Sequence, residues 1–263
     1  MIDERWALWL LGWALSASLL LVLYLRQRRT GDATAVDAGW GASVALLAVL
    51  DAVLGPGDLS HRVLIGVVAG IENARVALVV VRRLGRGEDG RYAELRRRWR
   101  ERGREQLTFA MFYQAQALLA AVLSLPFLFA VFNRHHGLEP LEWAGAALWL
   151  AAVVFEVTAD AQLERHKRDP AKRGMTMRSG LWRYSRHPNY FFQTLTWVAY
   201  ALIATAAPWG WIGWVAPALI LFLVLFVTGI GPSEEQALRS RGEDYRRYQR
   251  ETSAFVPWFP RRA

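Results

Sequence analysis

Long apolar runs alternate with short arginine-rich runs along this chain. That alternation constrains its fold more than any other feature. Seven stretches (6–25, 36–54, 63–81, 107–132, 141–158, 190–206 and 211–230) are apolar enough to sit in hydrocarbon. A spanning helix needs ~20 such residues and satisfies every backbone polar group within the segment. The chain has 263 residues, 54% of them hydrophobic, yet carries a net charge of +9. Both are possible because apolar and charged residues are segregated. The reading is an all-α polytopic membrane bundle of seven transmembrane helices in a single domain, 1–263. Tryptophans such as Trp9, Trp40, Trp143, Trp197 and Trp211 lie in or beside the runs, several near their ends, as an interfacial aromatic belt requires.

Orientation follows from basic residues. Segments 26–35, 82–106, 159–189 and 232–263 hold 3, 10, 8 and 7 Lys and Arg, 28 of the 32. The opposite side holds Arg5, Arg62 and Arg134, and Arg75 lies inside a run. This asymmetry predicts a cytoplasmic C-terminus and an outside N-terminus. Asp3 and Glu4 precede the first run and Arg26, Arg28 and Arg29 follow it, the reverse of a secretory signal, so it reads as a true first span. There is no cysteine, and the five histidines show no H-x-x-x-H or H-E-x-x-H spacing, which argues against thiol, zinc and di-iron chemistry.

Five clusters are candidates for chemistry. Asp37 opens the second run, and Glu72 and Arg75 share a helical face within the third. Charges in a bilayer usually face a cavity, a partner or a substrate, although a Glu72–Arg75 pair that only fixes packing is an equal reading. Asp51, near the end of its run, reads as interfacial and inert. Gly87-Glu88-Asp89-Gly90-Arg91-Tyr92 suggests a constrained turn before a short amphipathic basic helix. Glu156 and Asp160 lie one turn apart at the mouth of the fifth run, ahead of Arg165, His166, Lys167 and Arg168. Ser179 to Tyr190 packs aromatic and hydrogen-bonding residues directly before the sixth run, a natural anion site at a helix N-terminus. The tail holds Glu234, Glu235, Gly242-Glu243-Asp244-Tyr245 and Tyr248. It reads as a helix folding back into an aromatic, proline-ended close.

Leu181-Trp182-Arg183-Tyr184-Ser185-Arg186-His187-Pro188-Asn189-Tyr190-Phe191 resembles the signature of the steroid 5-alpha-reductase-like membrane family, and more narrowly its uncharacterised bacterial branch. Val36-Asp37-x-x-Trp40-Gly41, the Gly87–Tyr92 motif and Gly242-Glu243-x-Tyr245-x-x-Tyr248 through Pro257 are similar to that branch too. The likeness runs from about residue 36 to the end. It implies a seven-helix reductase that uses NADPH to reduce a carbon-carbon double bond conjugated to a carbonyl in a hydrophobic substrate (steroid-like, isoprenoid or lipid). It implies carbonyl-polarising roles for Asp37 and Glu72. It places the dinucleotide mainly on 82–106 and 156–263, against Arg91, Tyr92, Asp160, Lys167, Tyr184, Arg186, His187, Asn189, Gln193 and Tyr245. The expected partners are a small molecule entering from lipid and membrane lipids, not nucleic acid, and the expected location is a bacterial inner membrane. The family pattern continues Asn-Tyr-Phe with Gly and Glu, where this chain has Phe192 and Gln193. Two alternatives stand beside the reductase. One is an S-adenosylmethionine-dependent methyltransferase of the isoprenylcysteine carboxyl type, which shares an Arg-His-Pro-x-Tyr segment and a Glu-x-x-x-Leu tail. The other is a non-catalytic lipid-binding relative.

Overall fold

A computed structural model describes residues 1–82, 84–85 and 87–261. Among them there is no strand. The helices are α1 (Arg5–Thr30), α2 (Ala35–Leu54), α3 (Leu59–Val81), α4 (Gly90–Glu101), α5 (Glu105–Leu123), α6 (Leu125–Ala130), α7 (Pro140–Arg168), α8 (Pro188–Thr205), α9 (Val215–Phe222), α10 (Ile230–Arg241) and α11 (Glu243–Glu251). Among the described residues, six stretches are long and apolar enough to cross a membrane: α1, α2, α3, α5 with α6, α7, and Gly210–Arg241. The chain is therefore an integral membrane protein. The expected sixth run forms α8, which has 18 residues. Its first turns carry Asn189, Gln193, Thr194 and Thr196, and it is less apolar than the six.

Two boundaries differ from the expectation. Hydropathy ends the fifth run at residue 158, but α7 continues to Arg168. No breaker intervenes before Asp169-Pro170, where proline disfavours helix in the residue before it. Asp160 and Lys167 thus stand on the last turns of a helix, not in a loop. The last run is interrupted: a π-turn at Leu223–Val227 follows α9, and the chain bends at Thr228 and Gly229 before α10. A Cβ on Gly229 would lie 2.4 Å from the Val224 carbonyl oxygen, so the bend requires glycine.

The chain forms two compact units, Met1–Trp143 with Tyr200–Ala216, and Ala144–Ala199 with Pro217–Ala263. In the first, Leu20, Tyr24, Val36, Tyr92, Phe109, Tyr113 and Ala117 make a core on which Trp99 and Phe112 pack. Trp99 meets Phe109 edge-on at 4.7 Å between centroids, a favoured aromatic geometry. Elsewhere in this unit His61 and Glu142, both fully buried, pair at 2.6 Å, and the other ring nitrogen lies 2.8 Å from the His135 carbonyl. The second unit is organised by its tail: Tyr248 donates to the Trp182 and Ser185 carbonyls, Ser185 Oγ donates to the Phe255 carbonyl at 2.7 Å, and the Trp258 N–H donates to the Tyr184 carbonyl at 2.8 Å.

Candidate functional site

In the first unit the Gly87–Tyr92 motif docks on the start of α2. The Asp89 N–H donates to Thr34 Oγ1 at 2.9 Å, and the Ala33 N–H donates to Glu88 Oε1 at 2.9 Å. Asp89 caps α4 through the Arg91 N–H, as an N-cap aspartate should. These contacts bring three of the expected site residues together. Half-buried Asp37 accepts from Arg91 Nη2 at 2.9 Å and from the Tyr92 hydroxyl. Burial, and then the Asp37 carboxylate, push the Tyr92 hydroxyl well above the ordinary tyrosine range. One turn further along α4, Arg96 lies between Glu88 and Glu105, with bonds of 2.8 and 2.6 Å, and 4.7 Å above the Phe109 ring. The motif is thus a built clamp, and its Glu88–Arg96–Glu105 bridge was not foreseen.

Glu72 stands apart from Asp37. It is buried in α3 and closed by a two-pronged pair with Arg75 at 3.0 and 2.5 Å. Its carboxylate oxygens are spent within the helix, which matches the packing reading. Asp51, near the end of α2, is buried at 2% exposure, and its Oδ2 has no hydrogen-bond partner among the described residues.

In the second unit Glu234 on α10 is the hub. Its Oε1 accepts from Arg186 Nε at 2.6 Å, His187 Nε2 at 3.3 Å and the Tyr245 hydroxyl at 3.4 Å, and its Oε2 accepts from Gln249 Nε2 at 2.7 Å. Arg186 also donates from Nη1 to the Gln249 and Thr252 carbonyls at 3.0 and 2.6 Å. His187 stacks on Tyr190 with 5.4 Å between centroids. The Arg-His-Pro-Asn-Tyr segment therefore divides by function. Arg186 and His187, with Tyr245, fasten the tail. Burial and the neighbouring Glu234 push the Tyr245 hydroxyl up to about 12.

Asn189 points elsewhere. Its Nδ2 donates to Asp160 Oδ1 at 3.0 Å, while its Oδ1 is shut from solvent with no partner among the described residues. Lys167 and Tyr184 are exposed, and no ion pair holds Lys167 among the described residues. Trp182 Nε1 donates to the Ala159 carbonyl at 2.9 Å, and the Leu181 N–H donates to Gln162 Oε1 at 2.9 Å, which pins this segment to α7 beside Asp160. Gln193 lies one turn past Asn189, half-buried, its carboxamide unbonded to described residues. Phe192, where the family pattern has glycine, stacks on Phe155 of α7 at 5.0 Å and 18°. The extra bulk fills space against α7.

Gln249 was not singled out from the sequence, and Glu234 was named in the tail cluster without a catalytic or cofactor-binding role. The signal for Glu234 was its place in the tail cluster and in the Glu-x-x-x-Leu pattern, without a partner assigned to it.

The comparisons with known proteins agree with the resemblance. A 3-oxo-5-alpha-steroid 4-dehydrogenase 1 of Bos taurus is 32% identical over 113 residues, 43% of this chain and 41% of that protein. The chain thus matches under half the length of this curated relative. No solved structure matches it. Residues 23–252 match a family described as "Protein of unknown function (DUF1295)", and the chain belongs to that family.

Proposed function

We propose that this protein is an NADPH-dependent reductase of a carbon-carbon double bond conjugated to a carbonyl in a hydrophobic substrate. The observation that carries the reading is the orphaned Asn189 Oδ1 beside Asp160, within the segment that resembles the reductases. A buried amide oxygen left unpaired costs about 1–3 kcal/mol and calls for a donor. A dinucleotide offers such donors in its ribose hydroxyls and its amino and carboxamide groups. Lys167 supplies an uncommitted cation for its phosphates, and Gln193 and Tyr184 supply further polar contacts. The donor set fits the cofactor.

When bound, NADPH supplies a hydride, and the protein side supplies the proton that completes saturation of the double bond. Arg186, His187 and Tyr245 act as positioning residues by holding the tail against the 184–187 segment. In the first unit, the Arg91 guanidinium, held by Asp37 and Asp89 and with N–H groups beyond those bonds, is the donor that polarises a carbonyl oxygen, and the Tyr92 hydroxyl holds Asp37 in place. Glu72 is assigned less, because Arg75 already occupies it.

The relative's printed name concerns a 3-oxo steroid, which supports a substrate of that class without specifying it. The proposal extends to seven crossing helices, α8 included, with the C-terminus in the cytoplasm of a bacterial inner membrane. The 28 basic residues in alternate segments support this.

Thermal unfolding of the detergent-purified protein with NADPH, NADH or S-adenosylhomocysteine tests the cofactor. A ligand at ~100 times its dissociation constant stabilises the native state by about 2.7 kcal/mol. NADPH is expected to raise the midpoint of the wild type and to do so much less for Asn189→Ala. A shift with S-adenosylhomocysteine alone, or none with NADPH, overturns the proposal.

A further inference from the structure

The end of the chain leaves a large apolar surface uncovered. Trp258 and Phe259 are 70% and 75% exposed, and Val256 and Tyr184 are also exposed. They form one patch: Phe259 meets Tyr184 edge-on at 6.1 Å and Trp258 at 6.3 Å. The patch is not a frayed terminus. The Trp258 N–H is bonded to the Tyr184 carbonyl, the Arg186 N–H to the Ser253 carbonyl, and the Arg261 N–H to the Glu251 carbonyl, each at 2.8 Å. Phe255 beneath it packs edge-on against Phe191 of α8 at 5.5 Å. The backbone is therefore fixed while the largest side chains point outward, an arrangement that costs free energy in water.

Two arginines say what covers it. Arg183 precedes Tyr184, and Arg261 follows Phe259 by two residues. Both are exposed, and neither has an acidic partner among the described residues. The other nearby arginines are committed: Arg247 to Glu251 at 2.7 Å and Arg250 to Glu243 at 3.1 Å. Aromatic rings flanked by free cations match the boundary between acyl chains and anionic headgroups, where tryptophan and tyrosine concentrate and arginine reaches for phosphate. The patch also adjoins the start of α8, at the end of that helix where chain would meet the bilayer surface.

We infer that residues 256–261, together with Tyr184, form an interfacial anchor: Val256, Trp258, Phe259 and Tyr184 enter the boundary of a lipid leaflet while Arg183 and Arg261 bind its anionic headgroups. The anchor holds the tail flat on the membrane, and the Glu234 hub fastens the same tail to the protein.

The lack of native cysteine makes the test direct. Single cysteines replace Val256, Trp258 or Phe259, with Leu150 of α7 as a lipid-facing reference and Arg250 as a water-facing one. Each carries a nitroxide in nanodiscs of phosphatidylcholine and phosphatidylglycerol, and collisions with oxygen and with a nickel chelate are compared. The oxygen-to-nickel ratio at 258 and 259 is expected to exceed that at 250 several-fold and to approach that at 150. A nickel-dominated signal at both positions, or access by neither reagent, overturns the anchor. Val256→Cys removes no ring, so it gives the same readout should either aromatic replacement fail to fold.

Discussion

Replacing Glu234 by glutamine keeps its size and removes its charge, which isolates the hub. Side-chain exposures of 11% for Arg186 and 15% for Glu234 mean that solvent screens the pair little. The substituted glutamine would keep a neutral oxygen toward Arg186, His187 and Tyr245 but would turn an NH2 group toward the Gln249 amide, donor against donor. One hydrogen bond is lost, and the bond to Arg186 drops from charge-assisted to ordinary strength. Arg186 retains two carbonyl acceptors, so its charge is not stranded. A lost neutral bond is worth about 1 kcal/mol and the loss of charge assistance about 1–2, which together weaken closure of the tail by about 2–3 kcal/mol. When opening and reclosing are fast, proteolysis follows the open population, so cleavage should rise roughly 30- to 150-fold. Trypsin reads this directly at the exposed Arg246, Arg247 and Arg250. Glu235→Gln, at an exposed neighbouring position, serves as the control and should leave the rate unchanged. A Glu234→Gln rate equal to that of the control refutes the hub as the fastening of the tail.

Four further outcomes are expected. Arg96→Met should lower stability by about 3 kcal/mol in denaturant unfolding, because Glu88 loses its bridge to Arg96 while Glu105 keeps Arg100 at 2.8 Å. Phe192→Gly should cost about 2 kcal/mol in the same assay, from a helix-interior glycine and a lost aromatic stack, whereas Phe155→Ala should lose only the stack. Asp37→Asn should keep the NADPH-induced thermal shift while turnover of an enone substrate falls; loss of the shift with turnover intact would contradict the assignment. Acid should loosen the tail at Asp244: burial opposes its charge, but Thr176 and Arg178 outweigh that and hold it below its ordinary value of 3.8. A depressed folded value gives stabilisation that is complete above the unfolded value and lost as pH falls through the folded one. Hydrogen exchange in α11 should therefore rise below about pH 4, and more steeply in the wild type than in Asp244→Asn.

The spans were legible because hydrocarbon accepts few sequences. Their ends were less so. The charged turns 159–168 continue α7 because nothing in them breaks a helix, and charge alone does not. The bend after α9 depends on a close backbone approach at Gly229, which hydropathy cannot register. At the candidate site, the sequence identified Arg186, His187 and Asn189 as one dense segment but not their division of labour. Arg186 meets Glu234 across 48 residues and the Thr252 carbonyl across 66, and single-sequence patterns carry no such pairing. Asn189 looks like its neighbours in sequence. Only burial of its unbonded oxygen separates it from them.

Charge inside the spans shows most clearly what a partner does to a functional reading. From sequence, Glu72 and Asp37 are equivalent: each is a carboxylate in an apolar run, and each is costly there. The structure separates them by who shares the charge. Arg75 sits three residues from Glu72 on the same helix and takes both of its oxygens, so that charge is settled locally and would exist without any ligand. Asp37 is held from outside its helix, by Arg91 and Tyr92 across more than fifty residues. That arrangement needs α4 to be docked, and the docking is what Glu88, Asp89 and Thr34 provide. A local pair serves the helix that contains it. A carboxylate assembled from distant segments fixes the guanidinium it pairs with, which is what the proposed reduction asks of a carbonyl-polarising donor.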